Sequence, residues 1–500
     1  MIVDNDLLSV QEARILVEDA FEAQKKLATF SQEKLDEIVE GMTRAVEGQL
    51  RDLAQMSQEE TEIGKWQDKH IKNSFVCSYS RSHLRYMHCV GVIGEDPMNA
   101  ITEIGVPIGV IVSTCPETSP VSTAIYNTLI AIKSGNAIIF SPHPRARQSI
   151  GKTLDIMREA AQAHGLPEGC LAYLQTVDHS GLLELMNHDC TSLLLIGGDE
   201  ILLQTAAGTG KTIIYGGTGN GPAFIERSAD IEQAARDIIA SKSFDNGIAP
   251  AAEQSLVVDA PVAEDVRRAM KRNGAYFMSE QEASQLVQIF FTSAGKHKKG
   301  VVGISAQRLA QRAGFIVPAD VTLLVAERKY VSEADPYYRA FLAPVLAMYV
   351  EEDWMDACEK CIELLLYEKK AHSLVIHSCN KEIIHQFALK KPVARLLVNT
   401  PGAFGGMGAT TNLFPSMMLG SSSAGHGVTS DNVSPLNLIY RRKVGYQVRS
   451  MEEVKKTIMV EEPLRHVSST PIESNDSVTV EVIHQILKKA IKTINDPAAH

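Results

Sequence analysis

The residues whose chemistry can be tested by spacing alone are the cysteines. Cys358 and Cys361 form a Cys-x-x-Cys pair, the spacing of half a tetrahedral zinc site. They fall within a helical run with Trp354, Ala357, Leu364 and Leu365, and no second pair completes four ligands. Core packing accounts for both, and no metal site is expected. Cys77, Cys89, Cys170, Cys190 and Cys379 sit in mixed or apolar surroundings, and eight cysteines in 500 residues are too few for a disulfide framework. These read as buried free thiols. Gly219-Asn-Gly-Pro222 has the composition of a turn, and His426 in Ala424-Gly-His-Gly427 that of a loop residue.

Composition narrows the partners. The chain carries 49 Lys plus Arg against 60 Asp plus Glu, a formal charge of −11. It lacks the basic stripe that phosphate backbones require, so no nucleic-acid partner is expected. No run approaches the ~20 apolar residues of a membrane span. Met1-Ile-Val-Asp-Asn-Asp6 opens with acids where a signal peptide carries basic residues. The expectation is a cytoplasmic protein with no membrane partner. With 45% hydrophobic and 22% charged residues, the chain should build two or three domains of ~100–200 residues each.

The elements that would position any site follow from periodicity. The first 60 residues read as helical: Ser9-Val-Gln-Glu12 has the pattern of a capping box, and Ala13, Leu16, Val17, Ala20 and Phe21 follow at three-and-four spacing. A second helix begins near Gln32. From residue 108, short β-branched runs alternate with helical stretches, with strands near 108–112, 136–140, 192–196 and 212–214. That rhythm predicts βαβ units and a parallel sheet. A second alternating block follows after about residue 240, with strands near 255–258, 322–325, 373–376 and 395–398.

Several stretches in collinear order carry a resemblance over about residues 10–450. They include Ile139-Phe-Ser-Pro-His-Pro-Arg-Ala146, Gly219-Asn-Gly-Pro222, Ser243-Phe-Asp-Asn-Gly247, Glu253-Gln-Ser255, Pro344-Val-Leu-Ala-Met-Tyr349 and Val398-Asn-Thr-Pro401. The chain resembles the CoA-acylating aldehyde dehydrogenases: the aldehyde dehydrogenase half of bifunctional aldehyde/alcohol dehydrogenases, and related microcompartment enzymes. The resemblance implies an α/β fold with two Rossmann-like domains plus oligomerisation strands. It places N-terminal helices and a dinucleotide-binding-type domain at 1–240, a catalytic-type domain at 241–430 and a return segment at 431–455. The family reaction joins an aldehyde, coenzyme A and NAD into acyl-coenzyme A and NADH. It needs a thiolate nucleophile, oxyanion donors and a well-placed nicotinamide. NAD and coenzyme A are therefore the implied cofactors, and a dimer or tetramer is the implied assembly.

Carried over position by position, the resemblance also fails in a selective way. The family's nucleophilic cysteine aligns with Pro250, and Ile248-Ala-Pro-Ala-Ala252 holds no cysteine. The oxyanion asparagine aligns with Ser119 in Thr114-Cys-Pro-Glu-Thr-Ser119-Pro120, and the ribose-binding glutamate with Ala340. A Gly-Gly-x-Gly turn aligns with Gly197-Gly198-Asp199-Glu200, whose carboxylates oppose a pyrophosphate. A Leu-Gly-Cys-Gly loop has become Leu419-Gly-Ser-Ser-Ser423. His372 matches the family's active-site histidine, His143 and Arg145 match its cofactor-side loop, and Asn220 and Glu253 also match. The expectation is a pseudoenzyme that binds NAD weakly and acts as a structural or regulatory subunit. Two alternatives stay open: an active enzyme whose nucleophile has moved to Cys115, or an altered reaction with His372 and Glu253 as acid and base.

The C-terminal part reads differently. Residues 456–477 are polar and read as a flexible linker. Beyond it, over 478–495, Val478, Val482, Ile483, Ile486, Leu487, Ala490, Ile491 and Ile494 make one apolar stripe opposite Glu481, Lys488, Lys489 and Lys492. A tethered amphipathic helix of this kind resembles an encapsulation peptide that binds microcompartment shell or cargo proteins. Docking onto its own core is the competing reading.

Overall fold

The computed structural model describes residues 4–198, 200–370 and 372–460. Among these, fifteen strands form three sheets. β1 (Gly91–Asp96) and β2 (Ile101–Pro107) pair antiparallel and, with β15 (Ile439–Gly445), make a three-stranded sheet in the order β1-β2-β15. β3 (Val110–Thr114), β4 (Ala137–Ser141), β5 (Leu171–Tyr173), β6 (Thr191–Gly197) and β7 (Thr212–Gly216) form a parallel sheet ordered β5-β4-β3-β6-β7. β8 (Pro222–Ile225), β9 (Ser255–Asp259), β10 (Ala275–Phe277), β11 (Leu323–Glu327), β12 (Val345–Glu351), β13 (Ser373–His377) and β14 (Arg395–Val398) form a second parallel sheet, β10-β11-β12-β9-β8-β13-β14.

Parallel strands covered on both faces must be apolar throughout, and every residue of β3 and β4 is buried. The helix after β3, Pro120–Lys133, is buried along its whole length. Pro120 occupies its first position, where a missing N–H costs nothing and the fixed φ suits the helix. Its far end is held by Asn136, whose Oδ1 accepts from the Gly109 N–H at 2.9 Å and whose Nδ2 donates to the Leu438 carbonyl at 2.8 Å.

The strand order fixes where a ligand can enter. The chain leaves β3 to build β4 and β5 on one side, then returns to build β6 and β7 on the other, so the connections after β3 and β6 diverge. A crevice opens outside their carboxyl ends, at Thr114 and Gly197. The Thr114 hydroxyl accepts from the Gly197 N–H at 3.3 Å and closes its floor.

Several expectations need correction. The first helix is Asn5–Leu27, capped by Asp4, and Ser9 lies buried inside it. The apparent capping box is spent on tertiary contacts: Ser9 Oγ donates to the Thr176 carbonyl at 2.6 Å, and Glu12 accepts from the Gln175 and Thr176 N–H groups at 2.6 and 2.9 Å. β8 belongs to the seven-stranded sheet, so the chain passes from one parallel sheet to the other between Gly216 and Pro222, ahead of position 240. From Gly445 the chain forms a separate unit, described as helix Met451–Val460. Residues 456–460 are therefore helical, contrary to the linker placed at 456–477. The rest of that linker and the stripe at 478–495 lie outside the described residues. No helix among the described residues is long and apolar enough to cross a membrane.

Asn136→Ala should lower the melting temperature without changing the far-ultraviolet circular dichroism. It orphans the part-buried Gly109 N–H and the buried Leu438 carbonyl, at about 1–3 kcal/mol for a group left fully unsatisfied. An unchanged melting temperature would mean that water replaces the amide.

Candidate active site

A cleft of about 810 Å³ fills the crevice. One wall is the turn from Thr114 to Ser119 together with Gly197 and Gly198; others come from Gly216–Thr218, Pro250, the segment 297–300 and Met417–Leu419. Five of the expected site residues line it: Ser119, His143, Arg145, Gly198 and Pro250. His372, Glu253, Asn220 and Ala340 do not.

Pro250 brings no nucleophilic side chain to the wall. Gly219, with φ +75°, runs so close that a Cβ there would stand 1.8 Å from the Pro250 carbonyl oxygen and 2.8 Å from His372 Nε2. Only glycine fits, and through it His372 sits one layer behind the cleft wall. The His372 ring is buried; Nδ1 lies 2.8 Å from Ser373 Oγ and 3.3 Å from Arg395 Nη1, and Nε2 has no partner among the described residues. Burial, reinforced by the Arg395 cation, pushes its pKa down to about 3, so the ring is neutral at neutral pH.

Ser119 stands at the N-cap of Pro120–Lys133 without capping it. Its Oγ accepts from Lys72 Nζ at 2.6 Å. Lys72 Nζ lies 2.6 Å and Lys69 Nζ 3.2 Å from one oxygen of Asp245, with all three side chains no more than 3% exposed. Lys69 also donates to the Thr118 carbonyl at 2.8 Å. Burial opposes charge on Asp245, yet the two lysines hold its carboxyl below the usual range. Burial brings Lys69 down to about 8. Neither lysine was legible as a site residue. The available signal was two lysines at i, i+3 in helix Trp66–Phe75, on the face that also buries Asn73.

The remaining positions split into two groups. Arg145 Nη1 pairs with Glu117 at 2.8 Å and Nη2 donates to the Thr61 carbonyl, while His143 Nδ1 accepts from the Arg145 N–H at 3.2 Å. The Arg145 charge is thus committed to the cleft's own turn. Gly198 has φ +71°, and its N–H donates to the Gly216 carbonyl at 2.8 Å. Asp199 lies outside the described residues. Glu200 opens the next helix, lines the cleft and faces Lys370 at 3.4 Å. Asn220 and Ala340 meet at Glu368, whose Oε2 accepts from Asn220 Nδ2 at 3.0 Å and from the Ala340 N–H at 3.2 Å. The Ala340 carbonyl bonds His297 Nε2 at 2.7 Å, so it is His297 that reaches the cleft.

Glu253 is buried; Oε1 accepts from the Gly402 N–H at 2.7 Å and Oε2 is unpartnered among the described residues. Burial pushes its carboxyl up to about 7 and the neighbouring Lys242 amine down to about 7. Cys115 lines the cleft but is only 3% exposed, and burial pushes its thiol well above the ordinary value. Cys358 and Cys361 pack in the core of the seven-stranded sheet, with Lys391 Nζ 2.7 Å from Cys358 Sγ.

Residues 2–285 match the sequence profile of the aldehyde dehydrogenase family. The chain is 36% identical to an aldehyde-alcohol dehydrogenase of Streptococcus pneumoniae over 413 residues, 81% of this chain and 47% of that protein. It superimposes on a probable aldehyde dehydrogenase from Listeria monocytogenes with a TM-score of 0.88 and 44% identity, covering 90% of this chain and 100% of the other. An acetylating aldehyde dehydrogenase from Geobacillus thermoglucosidasius gives a TM-score of 0.87 and 37% identity over 90% and 99% of the two chains. The chain belongs to the acylating aldehyde dehydrogenases. It spans about half the length of the bifunctional relatives that it matches. Members of the family bind a nicotinamide dinucleotide and coenzyme A.

The Glu253 environment gives a pH prediction. A carboxyl raised in the folded state stabilises the fold below about pH 4.5 and loses that contribution as pH rises to about 7. Glu253→Gln keeps the acceptor for Gly402 and removes the titration. Its melting temperature should therefore gain on the unmodified protein between pH 4.5 and 7 and keep the advantage at pH 8, equivalent to at most about 3 kcal/mol. A pH-independent difference between the two would refute it.

Proposed function

We propose that this chain has lost the dehydrogenase reaction of its family and serves as a structural or regulatory subunit. The observation that carries the reading is Pro250 on the cleft wall, at the position to which the resemblance assigns the thiolate. A proline has no nucleophile, and Ile248, Ala249, Ala251 and Ala252 supply none. Ser119, aligned with the oxyanion asparagine, already holds the Lys72 ammonium on its hydroxyl. Bound in a relative, the dinucleotide supplies the hydride acceptor. The residues here do not fit it: Ala340, aligned with the ribose-binding glutamate, has no acceptor and lies off the cleft wall, and Glu117 and Glu200 line the cleft with carboxylates. NAD should bind weakly. The cleft fits coenzyme A better, since Lys299, Arg308 and Arg312 line it.

A relocated nucleophile at Cys115 is the second reading, favoured only by the place of that thiol on the cleft wall. Its burial and raised pKa weigh against it, because the attacking species is the thiolate.

Acetaldehyde or propionaldehyde with coenzyme A and NAD should give no NADH above a protein-free blank. Pro250→Cys alone should recover little. Adding Ser119→Asn, Ala340→Glu and Asp199→Gly should recover more than the single changes summed, since such groups act as one unit. Turnover by the unmodified protein that disappears with Cys115→Ala would establish the relocated nucleophile instead.

The stripe at 478–495 supports a place for the chain, self-associated as a dimer or tetramer, inside a cytoplasmic microcompartment, with shell or cargo proteins as partners. The full chain fused to a fluorescent protein should form puncta in cells that make shells. Ile486→Glu should disperse them, because the charge falls in the middle of the stripe. Diffuse fluorescence from the unmodified fusion would sink the idea.

A further inference from the structure

The loop after Leu419 holds a serine in a backbone conformation that belongs almost entirely to glycine: Ser422 has φ +55° and ψ −176°. The resemblance puts a glycine at this position, and here a Cβ must be accommodated. We propose that segment 420–431 is a strap closed against its own strain, whose opening uncovers the buried ring of His372 beside the cleft. The strap and its strain do not depend on whether the dehydrogenase reaction is lost.

The closed strap is held by its own hydrogen bonds. The Ser422 N–H donates to the Thr429 carbonyl at 2.9 Å, and the Ser422 carbonyl accepts from the Gly427 N–H at 2.7 Å and the Gly425 N–H at 3.1 Å. Ser421 Oγ donates to the Gly425 carbonyl at 2.8 Å, and the Gly420 N–H to the Asp431 carbonyl at 2.9 Å. A strained residue persists only where its surroundings over-determine it, and these bonds do so for Ser422. Ser423, His426 and Val428 at the tip are exposed, so water can replace the bonds as they break.

Arg395 ties the two stems of the strap to His372. Its Nη2 donates to the Gly420 carbonyl at 2.9 Å and the Ser430 carbonyl at 3.0 Å, while its Nη1 donates to the His372 carbonyl at 3.3 Å. Gly217 stands between strap and ring: a Cβ there would lie 3.5 Å from Ser421 Cβ and 3.8 Å from His372 Cδ2. Lifting the strap therefore takes two carbonyls from Arg395 and Ser421 from Gly217, which loosens the packing over the ring. Met417, Met418 and Leu419 lead into the strap and line the cleft, so the opening adjoins it.

Two terms favour the open form. Strain at Ser422 is released, and His372 Nε2, which has no partner among the described residues, gains water in place of a dry surround. The Arg395 bonds and those inside the strap favour the closed form. Opposed terms of similar size make opening a local event, reached without unfolding the sheets on either side. Ser422→Gly removes the strain from the closed form, offset in part by the freedom that glycine gains in the open one. Ser422→Ala keeps the Cβ and the strain while removing the hydroxyl.

The test uses the full chain and two readouts. Hydrogen exchange followed by mass spectrometry reports opening of residues 420–431, and diethyl pyrocarbonate, which acylates neutral imidazole, reports access to His372 by peptide mass. In the unmodified protein the strap should exchange faster than β3. Ser422→Gly should slow both strap exchange and His372 acylation by roughly threefold or more, with β3 unchanged. Ser422→Ala should not slow either. Exchange that is unchanged or faster in Ser422→Gly would overturn the proposal, as would an equal slowing in Ser422→Ala, because the hydroxyl and not the backbone would then be the cause. His372 acylation that fails to follow strap exchange across the three proteins would overturn the strap as its cover, and a parallel change in β3 would mean global unfolding instead.

Discussion

The carboxylate of Asp245 is the constraint on which the cleft depends. It joins helix Trp66–Phe75, the turn that ends at Ser119 and its own segment Phe244–Gly247. Asp245, Asn246 and Gly247 take left-handed backbone conformations in succession, with φ +48°, +54° and +75°. For the two that carry side chains this costs about 1–3 kcal/mol each. Two buried ammonium groups and the N–H of Lys65 offset that strain, and Asn246 Nδ2 adds a bond to the Gly303 carbonyl at 2.8 Å. The approach is possible because residue 64 is glycine: a Cβ there would lie 1.9 Å from Asp245 Oδ1. Removing one member of such a cluster leaves a buried charge uncompensated, at about 3–5 kcal/mol.

The cleft itself is electrostatically divided. Glu59, Glu62, Glu117 and Glu200 line it from one set of elements, while Lys298, Lys299, Arg308 and Arg312 line it from another. Arg145 is neutralised by Glu117, so it adds little to the positive side. An anionic group turned toward residues 298–312 would meet the wall of opposite charge, and the acidic side would repel it.

Much of the fold was legible as apolar runs set between turns, because strands covered on both faces must be hydrophobic at every position. Residues 395–398 are a strand just as the run suggested, whereas β5 and β10, three residues each, are too short to show a pattern. β1 escaped for the opposite reason, since most of its residues are exposed. Ser9 and Glu12 show how a local motif misleads: their spacing suits a cap, but partners at Gln175 and Thr176 claim both side chains. The site divides in the same way. Ser119, His143, Arg145, Gly198 and Pro250 could be placed by motif and do share one cleft. Lys69 could not, because its meaning comes from a carboxylate 176 residues further along the chain.

That separation also governs when the cleft can exist. During synthesis the lysines of helix Trp66–Phe75 emerge long before Asp245, and at ~5–20 residues per second the interval is roughly 10–35 s. Through that time the two amines lack the carboxylate that pairs with them in the folded chain. A nascent chain arrested before residue 245 would carry Ser119 on a turn without the carboxylate that anchors its lysine partner.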